Sequence, residues 1–243
     1  MNLIIDVGNT RVKIAVFEKD TLLKLDVIEE NELLKKVDFL VSEYQIKSGI
    51  IASVRKLPAH LERELLKKTA FLVLNHTTKV PFINQYKTPK TLGVDRIALV
   101  ANAAKKYTMQ HVLIIDAGTC ITFDFVNSKG MYLGGAISPG ITMRYNAVKA
   151  FTSKLPLLEK KSAVKLTGTT TEESIHSGII NGILNEIEGV ISQYKKEYPL
   201  LTIVLTGGDT YFLAKQLKSG IFAHPNFVLE GLNTILIHNK EEC

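Results

Sequence analysis

Leu3-Ile4-Ile5-Asp6-Val7-Gly8-Asn9-Thr10 opens the chain, and Leu113-Ile114-Ile115-Asp116-Ala117-Gly118-Thr119-Cys120 repeats its pattern, with Asp6 and Asp116 lying 110 positions apart. Each copy is a short aliphatic run, an aspartate, a small residue, a glycine and small polar residues. A run of this kind reads as a strand covered on both faces. The Asp-x-Gly at its end places a carboxylate and bare backbone at the strand's exit, where backbone N–H groups can converge on an anion. Read alone, either copy is also a hairpin turn, because Asp and Gly are common turn residues. The repetition in the same context, at nearly half the chain length, favours a duplicated unit holding a phosphate chain.

Working outward, Arg11 to Phe17 and Thr21 to Ile28 alternate as strands, and Leu33, Leu34, Val37, Leu40, Val41 and Tyr44 recur at helical spacing. Gly49 to Val54 is a further strand, Pro58 opens a helix running to Lys68, and Phe71 to Leu74 is a strand. The second half repeats the opening, with strands at His111 to Asp116, Cys120 to Val126 and Met131 to Ile137. A helix then follows Pro139, a long helix runs from about Thr171 to Tyr194, and a strand spans Leu201 to Leu205. A last amphipathic helix is expected over roughly Glu230 to Asn239. The expectation is an α/β protein of two lobes, 1–110 and 111–243, each a mixed sheet with flanking helices, with a ligand cleft between them.

Composition narrows the function. Of the 243 residues 46% are hydrophobic and 22% charged, enough to fill a core and against disorder. Two cysteines, Cys120 and Cys243, are too few for a disulfide framework, so a reducing, cytoplasmic location is expected. No basic segment with an apolar stretch precedes Asp6, so no signal peptide is expected, and Met131 to Met143 is too short and broken to cross a membrane. The net charge of +6 raises nucleic acid as a partner. The lysines instead sit in scattered pairs such as Lys35-Lys36, Lys67-Lys68, Lys105-Lys106 and Lys160-Lys161, without interleaved aromatics. A solvated surface that steers small anions is the better reading. The six histidines lack metal-ligand spacing, and no serine has a nucleophile-elbow context. Neither a P-loop nor a Gly-x-Gly-x-x-Gly is present.

Three stretches resemble the two phosphate motifs and the adenosine motif of the acetate and sugar kinase, Hsp70 and actin superfamily. They are Asp6-Val7-Gly8-Asn9-Thr10 with Lys13, Asp116-Ala117-Gly118-Thr119, and Thr206-Gly207-Gly208. Within that superfamily, Gly93-Val94-Asp95-Arg96 and Gly134-Gly135-Ala136-Ile137-Ser138-Pro139-Gly140 resemble the type III pantothenate kinases, over the whole chain and in the family's order. Cys120 departs from the alanine expected after Gly-Thr. The resemblance implies a ribonuclease H-like, actin-like ATPase fold and phosphorylation of pantothenate by ATP, opening coenzyme A synthesis. It implies ATP contacts from Asp6, Val7, Gly8, Asn9, Thr10, Arg11, Val12, Lys13, Gly118, Thr119, Gly207 and Gly208. Acceptor contacts are expected from Tyr86, Gly93, Val94, Asp95, Arg96 and Thr171.

An alcohol attacks phosphorus as its proton leaves, so a base is needed, and Asp95 at the mouth of a helix is the candidate. A helix-start aspartate also simply favours the dipole there. Arg96 can pair with the acceptor's carboxylate. Mg²⁺ is expected on the phosphates with Asp6 as ligand, directly or through water. The resemblance further implies a monovalent cation, K⁺ or NH₄⁺, at Asp116, and a homodimer in which the neighbouring subunit contributes Thr171. The alternatives are a kinase of the same fold acting on a sugar or another small acid, and a non-catalytic nucleotide-dependent regulatory module, which would need the phosphate turns but no base.

Overall fold

In the computed structural model, residues 1–241 are described; Cys243, one of the two cysteines behind the expected reducing compartment, lies outside the described residues. The elements in chain order are β1 (Asn2–Val7), β2 (Val12–Glu18), β3 (Thr21–Ile28), α1 (Leu33–Glu43), β4 (Ser48–Ser53), α2 (Ala59–Leu66), β5 (Ala70–Val73), β6 (Ile83–Asn84) and α3 (Val94–Lys106). There follow β7 (His111–Ala117), β8 (Cys120–Val126), β9 (Met131–Pro139), α4 (Ile141–Ala150), α5 (Thr171–His176), α6 (Gly182–Glu197), β10 (Leu201–Thr206), α7 (Thr210–Ala214), β11 (Phe222–Ala223) and α8 (Phe227–Glu241). They group into two compact units, residues 1–108 with 227 onward, and residues 109–226.

In the first unit the strands run in the order β3-β2-β1-β4-β5. β1 pairs antiparallel with β2 and parallel with β4. Because side chains alternate across a strand, Leu3, Ile5 and Val7 face one side, packed with Leu33, Val37 and Leu40 of α1 and Leu61 and Leu65 of α2. Asn2, Ile4 and Asp6 face the other, where α8 lies over β1 and α3 packs on α8 and β4. Asn2 confirms that direction by donating to Asn233 Oδ1 of α8 at 2.8 Å. The two helices approach closely at Gly231, where a Cβ would stand 1.9 Å from the carbonyl oxygen of Ala98.

The second unit repeats the plan. Its strands run β9-β8-β7-β10-β11, with β7 antiparallel to β8 and parallel to β10. Leu113, Ile115 and Ala117 pack with Ile183, Ile187 and Ile191 of α6. Asp116 therefore lies on the opposite face, as Asp6 does in its own unit.

Two expectations are corrected. The last helix begins at Phe227 rather than near Glu230, and it belongs to the first unit rather than to a second lobe ending at 243, because its apolar residues are buried against that unit's elements. The helix expected over 171–194 is interrupted by a π-helical turn at Ser177–Asn181. There the Ser177 hydroxyl donates to Leu166 O, and Asn181 Nδ2 donates to Lys165 O at 3.2 Å, so the wide turn is anchored by the preceding loop.

Candidate active site

The first Asp-x-Gly turn is closed by its own backbone. Gly8 N donates to Arg11 O at 3.1 Å, and a Cβ at Gly8 would stand 3.2 Å from that same oxygen, so the narrow turn suits glycine. Asn9, Thr10 and Arg11 are exposed along it, and Val12 starts β2 with its side chain in the core. Lys13 is the register partner of Asp6 across β1 and β2, so both side chains stand on the α3 side of the sheet.

α3 begins at Gly93, which places no side chain over the helix start. A Cβ there would meet Asp95 Oδ1 at 2.4 Å. Glycine thus lets the Asp95 carboxylate fold back over the first turn, where Oδ1 accepts the Arg96 N–H at 2.8 Å. Asp95 thus lies in the first turn of α3, where a helix dipole favours a carboxylate, and it remains partly exposed. Asp6 is half-buried near the end of β1. Its carboxyl is pushed from 3.8 to about 6, by desolvation first, with Lys13 opposing the rise and Asp95 adding to it. Lys13 and Asp95, two of the other expected residues, are therefore each within electrostatic reach of Asp6.

Arg96 is 5% exposed, and its guanidinium lies over the Tyr86 ring at 5.6 Å, so two residues proposed from separate stretches for the acceptor are brought together. Tyr86 is itself fixed by its N–H donating to Asn84 Oδ1 at 2.9 Å. Val94 is half-buried in the same first turn of α3.

In the second unit, Gly118 N donates to Cys120 O at 2.9 Å, repeating the closed turn, and Thr119 is exposed on it. Gly207 has φ +93° and presses on the β7 exit. A Cβ there would stand 2.3 Å from Asp116 Oδ1 and 2.4 Å from Ala117 O. The adenosine-motif glycine and the second aspartate are thus neighbours, and Gly208 is exposed beyond them. Thr171 is exposed at the start of α5, whose cap is Thr170, with its hydroxyl oxygen accepting the Glu173 N–H at 3.2 Å.

The donor sets suit hard cations. Asp6 is a desolvated carboxylate that a cation would stabilise, and Asp116 and Ala117 O, the latter also accepting the Asp209 N–H at 2.9 Å, lie beside Gly207. Among the described residues there is no group of three or more His, Cys, Asp or Glu that could hold a metal ion.

Sequence reasoning missed two charged contacts. Lys160, read as solvated surface, pairs with Asp209 and lies 5.3 Å from the Phe212 ring centroid, just after the Gly207-Gly208 turn. Arg55 bonds the first Asp-x-Gly turn, with Nε donating to Gly8 O at 3.2 Å. No local pattern marks either residue. Both contacts join segments far apart in the chain.

A family model described as type III pantothenate kinase matches residues 2–193. The type III pantothenate kinase of Christiangramia forsetii is 48% identical over 243 residues, covering 100% of both chains. Among solved structures, a Campylobacter jejuni protein described as a Baf family transcriptional activator aligns with a TM-score of 0.66 at 23% identity, covering 98% of this chain and 99% of that one. A glucokinase from an Antarctic psychrotroph aligns with a TM-score of 0.54 at 13% identity, covering 98% of each chain. At such identities the structures speak for the fold, which is the actin-like fold of sugar kinases. The chain belongs to the type III pantothenate kinase family.

Proposed function

We propose a division of labour among these residues for the reaction of the family, transfer of the γ-phosphoryl group of ATP to the hydroxyl of pantothenate, the first step of coenzyme A biosynthesis. Asp95 takes the hydroxyl proton as the oxygen attacks phosphorus. Arg96, held against Tyr86, pairs with the pantothenate carboxylate, and Gly93 and Val94 line its approach. Residues 6–13 hold phosphate oxygens through backbone N–H groups, Asn9, Thr10 and Lys13, and in the second unit Gly118 and Thr119 also bind phosphate. Gly207 and Gly208 admit the adenosine. Asp6 is the ligand for Mg²⁺, directly or through water, and Mg²⁺ when bound neutralises phosphate charge. Asp116 and Ala117 O hold K⁺ or NH₄⁺. The working form is a cytoplasmic homodimer whose neighbouring subunit contributes Thr171, and light scattering giving a monomer mass would remove that part.

The observation that supports the reading best is that Asp95, at the start of α3, and Lys13, the register partner of Asp6, both act electrostatically on Asp6. Asp95→Asn keeps the shape but cannot take a proton, so kcat should fall by roughly 10²–10⁴-fold with ATP affinity nearly unchanged. A variant that keeps most of its kcat removes Asp95 as the base. ADP formation that does not depend on added pantothenate would point instead to a different acceptor.

The cation assignment has its own test. Wild-type rates in K⁺ or NH₄⁺ should exceed those in Na⁺ at constant ionic strength, and the difference should vanish in Asp116→Asn. Equal wild-type rates in all three salts would eliminate the site.

A further inference from the structure

β1, β3 and β4 all run in one direction, since β1 is antiparallel to β2, β2 to β3, and β1 is parallel to β4. Their carboxyl ends open on the same edge of the sheet, the edge at which α/β sheets bind ligands. Three loops meet there. Val54 N, after β4, donates to Val7 O at 3.2 Å, and Arg55 Nε donates to Gly8 O at 3.2 Å. The terminal nitrogen of the same guanidinium pairs with Glu30, after β3, and both side chains are partly exposed.

We propose that Arg55, fixed by Glu30, is a positioning residue that orients and polarises the Gly8–Asn9 peptide for phosphate. The proposal rests on the reading of residues 8–13 as a phosphate turn. A peptide unit is planar and trans, so its C=O and N–H point in opposite directions. A charged donor on Gly8 O therefore sets the direction of the Asn9 N–H, away from Arg55. The same bond draws electron density toward the oxygen and strengthens that N–H as a donor. Arg55 cannot drift from this task while its other nitrogen holds Glu30, because the planar fork fixes both bonds together. Gly8 N is already bonded to Arg11 O, so orientation of the turn depends on the next peptide.

The test measures KM for ATP, KM for pantothenate and the melting temperature in Arg55→Ala, Arg55→Lys and Glu30→Gln, with Gly8→Val as the control on the turn. Arg55→Ala should raise KM for ATP about tenfold, the size of one lost charge-assisted bond. Glu30→Gln should raise it less, and Arg55→Lys should fall between, since an ammonium lacks the planar fork that serves Gly8 O and Glu30 together. KM for pantothenate and the melting temperature should stay near wild type. Two results overturn the proposal: an unchanged KM for ATP in all three variants, or equal rises in both KM values with a lowered melting temperature, which is what a mere staple between loops gives. If Gly8→Val abolishes ATP binding while Arg55→Ala leaves it intact, only the positioning role fails. If neither matters, the phosphate turn fails with it. Should Arg55→Ala not fold, Glu30→Gln and Arg55→Lys decide by the same readings.

Discussion

Asp6 shows at the scale of a residue that this site is built at some expense to stability. Its carboxyl titrates at about 6 in the fold against 3.8 as a reference, because burial disfavours the charged form more than Lys13 favours it. A raised carboxyl pKa means that the folded state binds the proton more tightly than the unfolded chain. The associated stability is complete below pH 3.8 and is lost as pH rises through about 6. Above that, ionised Asp6 costs roughly 3 kcal/mol. In metal-free buffer without nucleotide, Asp6→Asn should therefore be more stable than wild type at pH 8, with the two converging below pH 4. Urea denaturation at both pH values checks this, and a variant less stable at pH 8 would contradict a net penalty for ionised Asp6. At this scale the sequence was readable wherever residue type constrains chemistry: a carboxylate and a glycine at a strand exit, twice, or an aspartate after a helix-starting glycine. It was silent on Arg55, 47 residues from Gly8, because three strand exits must first be assembled before that contact exists.

Elements were legible to the extent that one side of each is buried. β8 was expected over Cys120–Val126 and lies there, since alternation across a sheet with one packed face leaves little freedom of register. α1 follows the spacing of Leu33, Val37 and Leu40 for the same reason. The π turn at Ser177–Asn181 was not legible, because Ile175, Ile179, Ile183 and Ile187 keep near-helical spacing through it and the cause lies in bonds to Lys165 and Leu166. The two-residue strands β6 and β11 carry too little pattern to register at all. α8 was recognised as a helix but placed in the wrong unit. Its apolar pattern states that it must be buried and does not state against what, which the missing side chain of Gly231 against Ala98 decides only in three dimensions.

At the scale of the whole molecule, the duplicated strand order β3-β2-β1-β4-β5 and β9-β8-β7-β10-β11 follows from two copies of one sequence plan, but the two units close differently. The second is continuous, residues 109–226, whereas the first spans 1–108 and is completed by the chain from Phe227 onward. Phe227, Leu229, Leu232 and Ile235 have no exposed surface. At about 1.5–3 kcal/mol for each buried apolar side chain, these four alone contribute roughly 6–12 kcal/mol. That is comparable with the whole net stability of an ordinary domain, about 5–15 kcal/mol. Asn233 adds a polar requirement, accepting from Asn2 and donating to Lys19 O at 2.7 Å, so its loss deprives the buried Asn2 amide of this partner. A chain ending at Asn226 should therefore lose the first unit and keep the second. Hydrogen exchange would show amides of β1, β2 and β4 exchanging freely while those of β7, β8 and β10 stay protected. Protection retained in β1 would mean that α8 only covers a core already closed without it.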